Sequence, residues 1–108
     1  MALKVAELSF EMIEALRPIV PRVKRHDKSL ADQLVRAASS VALNIAEADF
    51  SDPGNQKARF FTAAGSANET LAALRVAIAW GYFAAQDAET AAVLLRRIIA
   101  MLWKLTRG

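Results

Sequence analysis

The segment Leu30–Glu47, LADQLVRAASSVALNIAE, constrains the fold most, because its helical wheel leaves almost no face for solvent. At the angular step of an α-helix, Gln33, Arg36, Ser40, Asn44 and Glu47 fall in one polar stripe roughly 80° wide. Leu30, Leu34, Ala37, Val41 and Ile45 fill one side of that stripe, Leu43 borders it on the other, and Val35, Ala42 and Ala46 close the back. A helix that is apolar on two sides has to be covered on two sides. A chain of 108 residues rarely has enough other elements to do so alone, so self-association is expected. The pattern names no reaction and no substrate.

Composition points the same way. Hydrophobic residues make up 55% of the chain and the mean hydropathy is +0.22, above the usual share of about 45–50%. A membrane does not explain the excess. The longest uncharged runs, Ala37–Ala46 and Val76–Gln86, fall far short of the roughly 20 residues a spanning helix needs. The opening segment, MALKVAELSFEMIEALR, carries acids among its apolar residues, unlike the unbroken apolar core of a signal peptide. A cytoplasmic protein is expected. There is no cysteine, which excludes disulfides, thiol catalysis and cysteine–zinc sites.

Four helices and no strand can be read along the chain. The first runs from about Leu3 to about Lys24, with Val5, Leu8, Met12, Leu16, Ile19 and Val23 at helical spacing. Pro18 and Pro21 predict a kink or an early end near Arg17. Asp27 is the expected N-cap of the second helix, which runs to about Ala48. Asp49–Asn55, DFSDPGN, reads as a loop. The third helix spans about Gln56 to Trp80, with a seam of Phe60, Ala64, Ala67, Leu71, Leu74 and Ile78, and Gly81 marks its end. Asp87 is expected to cap a fourth helix from Ala88 to about Thr106, whose seam is Ala91, Leu95, Ile98, Leu102 and Leu105. Short connections favour antiparallel neighbours, so the expected fold is all-α: an up-down-up-down four-helix bundle, one domain over residues 1–108.

The net charge is +3 and the pI about 9.7. Arg17, Arg22, Lys24, Arg25 and Lys28 cluster in one connection, opposed only by Asp27. Arg96, Arg97, Lys104 and Arg107 close the chain with no acid after Glu89. In the expected topology the first group shares an end with Gly81–Asp87, while Lys57, Arg59, Lys104 and Arg107 gather at the other. Such ends are either solvated helix termini, where cations suit the dipole, or a surface for polyanions. On the second reading Arg22, Lys24, Arg25, Lys28, Arg96, Arg97, Lys104 and Arg107 are the candidate nucleic-acid contacts.

Signatures of catalysis are missing. His26 is the sole histidine and sits among charged residues of a connection. The paired Glu-x-x-His motifs of di-iron bundles do not occur. Asp49, Ser51 and Gly54 imitate the start of a calcium loop, but Pro53 takes a ligand position and Phe60 stands where the bidentate Glu belongs. There is no phosphate-binding glycine loop. Ser39, Ser40 and Ser66 have no histidine base in prospect. No catalytic residue, metal or cofactor is assigned. The polar stripe is the remaining constellation: Gln33, Arg36, Ser40, Asn44 and Glu47, joined by Ser66 and Glu69 from the third helix, form a structural network or interface that fixes register or subunit pairing, the alternative being a ligand-binding cleft. Gly65, in a run of small residues, suggests that another backbone or a bulky side chain comes close. Trp80, Tyr82, Phe83 and Trp103 suit packing better than base stacking.

The pattern Leu30-x-x-Gln33-Leu34-x-Arg36-Ala37-Ala38-x-Ser40-Val41-x-x-Asn44-Ile45-Ala46-Glu47 resembles the bacterial S23, or 23S rRNA intervening-sequence, proteins. The resemblance continues at Phe60-Phe61-x-x-Ala64-Gly65-Ser66-x-x-Glu69 and at Gly81-Tyr82, covering Leu30 to Tyr82. It departs at Ala48, where the family usually has glycine, and at the two prolines of the first helix. It implies a homopentameric ring of antiparallel four-helix bundles without known enzymatic activity. Some members are encoded within intervening sequences of 23S rRNA genes. The accessory proteins of diversity-generating retroelements are similar in fold and form basic pentameric barrels that bind nucleic acid and a reverse transcriptase. Three classes of function stand: first a homo-oligomeric scaffold that binds RNA or DNA, then a protein-interaction adaptor that binds neither, and last a helical enzyme, which a metal or small molecule near Arg36, Asn44 and Glu47 would support.

Overall fold

Two prolines decide where the first helix stops. The structure, a computed structural model, describes residues 3–107. Helix α1 spans Leu3–Leu16 and α2 spans Val20–His26. Arg17 still donates its amide to Ile13 at 3.1 Å, but Pro18 has no amide to continue the ladder. Pro21 falls in the first turn of α2, where a missing donor costs nothing. The break is the early end expected near Arg17. The apolar line crosses it intact: Val5, Leu8, Met12, Leu16, Ile19 and Val23 are all buried.

Helix α3 spans Lys28–Ala48 and α4 spans Pro53–Ala79. Asp27 caps α3 as expected, its carboxylate accepting from the Leu30 amide at 3.0 Å. The end of α3 explains the missing glycine. Asp49 stays right-handed, with φ −64° and ψ −22°, so Ala48 meets no strain. Ser51 and Gln56 side chains donate to the carbonyls of Glu47 and Ala48. The loop after it is shorter than expected. Asp52 accepts from the Asn55 amide at 3.0 Å and Pro53 opens α4, so Pro53, Gly54 and Asn55 are helical.

Gly81 ends α4 in the only left-handed conformation among the described residues, φ +81°. Tyr82 and Gly81 donate their amides to Ala77 and Ile78, the paired bonds of a Schellman motif. The expectation for Asp87 fails. A 3₁₀ turn, Ala85–Ala88, precedes α5, which spans Glu89–Arg107. Asp87 lies inside that turn and pairs with Arg22 at 3.2 Å rather than capping a helix.

Helix α3 packs on α4, α4 on α5, α5 on α1, and α1 with α2 back on α3. The result measures 42 × 22 × 19 Å, and α4 at 1.5 Å per residue is about 40 Å long, nearly the full length. One apolar cluster, including Met12, Leu34, Ile45, Leu74, Leu95 and Leu102, fills the middle. The α5 seam deviates at its last position: Leu105 is exposed and Thr106 is buried, its hydroxyl bonded to the Trp103 carbonyl. Four-residue spacing from Leu102 selects 106 over 105. Among the described residues no strand forms, and no helix is long and apolar enough to cross a membrane.

Candidate functional site

The predicted polar stripe lies along the border between α3 and α4, and part of it is joined. The Ser40 and Ser66 hydroxyls are 2.7 Å apart. The Asn44 amide nitrogen donates to the Ser40 carbonyl at 2.9 Å and to its hydroxyl at 3.1 Å. Thr70, fully buried, donates to the Ser66 carbonyl at 2.7 Å. Local bonds of this kind let hydroxyls sit between helices without an unsatisfied group, and no described buried side-chain nitrogen or oxygen lacks a partner. Glu47 forms a separate pair with Arg59 at 3.2 Å. Gln33, Arg36 and Glu69 are exposed and stand outside the hydroxyl cluster. Thr70 and the pairing of Arg59 with the stripe lie outside the expected set; Thr70 stands one turn after Ser66, which is the signal that could have found it.

The basic residues divide into two unlike groups. Lys24, Arg25 and Lys28 are exposed around the α2–α3 junction, but Lys28 pairs with Asp32 at 3.1 Å and Arg22 with Asp87. Arg22 also stands 5.8 Å from the centre of the Phe83 ring, and His26 stacks on Tyr82 at 4.7 Å. These contacts join the α2 region to the turn after α4, as the expected topology required. Of the second group, Lys104 and Arg107 lie in the last turn of α5, at an end as expected, while Arg96 and Arg97 lie further back along the helix. Arg96, Arg97, Lys104 and Arg107 are exposed on α5, within an arc of roughly 100° that runs about 16 Å along the helix. None of the four forms an ion pair with a described residue. On the other side of the molecule's charge balance, α1 turns Glu7, Glu11 and Glu14 to solvent.

Two helices expose apolar residues opposite the core. On α3 these are Val35, Leu43 and Ala46, with Phe50 just past the helix; Leu43 is 61% exposed and Phe50 95%. On α4 they are Phe61, Gly65, Ala72, Val76 and Ala79, all within roughly 60° and facing away from buried Ala63, Ala67 and Leu74. Helix α4 is therefore apolar on both sides. A Cβ built on Gly65 meets nothing within 4 Å, so the close neighbour expected there is not supplied by this chain. No group of three or more His, Cys, Asp or Glu residues able to hold a metal occurs among the described residues.

The family described as 23S rRNA-intervening sequence protein matches residues 1–104. The chain belongs to that family. A crystal structure of an S23 ribosomal protein family member of unknown function, from Bacteroides thetaiotaomicron, superimposes with a TM-score of 0.88 at 20% identity. The overlap covers 96% of this chain and 99% of that one, so the two share the whole fold. None of the curated proteins of described function matches. The resemblance expected from the helix-two and helix-three blocks thus extends over almost the entire chain.

Proposed function

We propose that this 23S rRNA-intervening sequence protein is a non-enzymatic scaffold that works as a homo-oligomer, a pentamer, and associates with nucleic acid or a ribonucleoprotein in the cytoplasm. On this reading residues 1–108 form one domain, an antiparallel up-down-up-down four-helix bundle with α1 and α2 acting as one broken arm. The observation that carries the assembly is the second apolar face of α4, together with a separate exposed strip at Leu43 of α3 and Phe50 just past that helix. Exposed apolar residues clustered on one helix face mark interaction surfaces. A strip on α4 and a different strip on α3 are suited to a head-to-tail interface, the kind that closes into rings.

The nucleic-acid part rests on the unpaired cations of α5 and the exposed Lys24 and Arg25. The acids of α1 keep the rest of the surface from being basic, so a polyanion is drawn to these strips rather than to the molecule at large. Light scattering on the purified protein tests the assembly, and a mass of about 59 kDa, five times 11.8 kDa, is the expected result. Titration with RNA and DNA at rising salt tests the rest, and affinity is expected to fall steeply from ~50 to ~200 mM. Absence of binding at the lower salt, with a protein partner that survives nuclease treatment, would replace this function with the adaptor reading.

A further inference from the structure

The α4–α5 groove adds a feature that neither helix reveals alone. A cavity of about 360 Å³ lies between them, floored by Leu71, Leu74 and Ile78, with Arg75 of α4 and Arg96 of α5 on its rims. Glu89 lines one end, and no acid follows it along α5. Along that direction Trp103 follows Arg96 by seven residues, two helical turns on the same edge of α5. Trp103 is 56% exposed, and the Arg107 guanidinium stands 5.1 Å from the ring centre. Neither Arg75 nor Arg96 forms an ion pair with a described residue.

We infer that this groove is a track for single-stranded nucleic acid, in which Arg75, Arg96 and Arg107 hold phosphates and Trp103 stacks an unpaired base. The inference rests on the nucleic-acid reading above and names its ligand. Cations spaced along a groove neutralise a backbone of any sequence, and an exposed aromatic among them adds a contact that every base can use. A duplex keeps its base faces stacked inside, so it can use the cations but not the indole. The guanidinium over the ring marks where a base enters, and the same flexible side chain can close over the base's outer face.

The test uses the assembled protein carrying Trp80→Phe, which leaves Trp103 as the sole tryptophan, since the chain has two. It is titrated with a 12-mer of oligo(U) and with a duplex of equal length at low salt. Single strand is expected to quench the indole emission and duplex to leave it unchanged; with affinities read by anisotropy of a labelled strand, single strand is expected to bind at least tenfold more tightly than to a Trp103→Ala version. Arg75→Ala with Arg96→Ala is expected to lower the salt slope by roughly one to two units. Trp103→Phe, which keeps a stacking face, is expected to retain most of the affinity and controls for folding. Single-strand binding with unchanged emission and no loss in Trp103→Ala overturns the track while leaving nucleic-acid association standing. Failure of both nucleic acids to bind overturns both.

Discussion

Asp52 does at one helix start what a backbone cannot do for itself. Its carboxylate accepts from the Asn55 amide and from the Asn55 side chain, and these bonds hold its pKa below the usual value of 3.8. A carboxyl that is a stronger acid in the folded state binds its proton more readily when unfolded. Its contribution is therefore complete above about pH 4 and lost as pH falls through the lower folded value. Replacing Asp52 with Asn should flatten the acid limb of a stability–pH curve in that window, with little change near neutrality; urea melts between pH 2 and pH 6 would read this. Asp27 makes a comparable bond at the start of α3, and Asp27→Ala is expected to cost about 1 kcal/mol in the same melts. Asp87, a third aspartate in a similar sequence setting, does neither. Its partner Arg22 lies sixty-five residues away, and a contact at that range leaves no mark in the local sequence.

The contrast between these aspartates says what was readable at the scale of the helix. Seams were readable because burial repeats every three or four residues, and all six expected core positions of α1 and α2 are buried. The proline break was readable because Pro18 lacks a donor whatever its surroundings. The start of α4 was misjudged because Asp52-Pro53-Gly54 is made of turn residues that also form a cap and a first turn. The basic stripe was legible as four residues, and the end position of Lys104 and Arg107 with it, but not as one face. Arg75 was invisible, because its significance depends on Arg96 across a groove between two helices. Gly65 gives this scale its sharpest prediction. With nothing near its Cβ position in the chain, Gly65→Ala should strengthen an isolated protomer by up to about 1 kcal/mol. If a second copy presses on that point, the same substitution should weaken assembly. Thermal melts at low concentration and light scattering at high concentration separate the two effects, and a gain in both would remove Gly65 from the interface.

For the molecule as a whole, the numbers leave α4 little choice. It runs nearly the full 42 Å length and is covered on its inner side only. Val76→Glu or Leu43→Glu places a charge on an outer strip without touching the core. Either should shift the light-scattering mass toward 11.8 kDa while helical content by circular dichroism is retained. Unchanged mass in both would show that neither strip holds copies together.

Gly81 carries one more consequence. The left-handed turn it makes sends the chain from α4 directly onto the α2 segment, where Tyr82 meets His26 and Phe83 lies under Arg22. One glycine thus ties the last quarter of the protein to the short proline-bounded segment near its beginning. Damage at that joint should be felt first as a loosening of α2, far from it in sequence, before any of the long helices gives way.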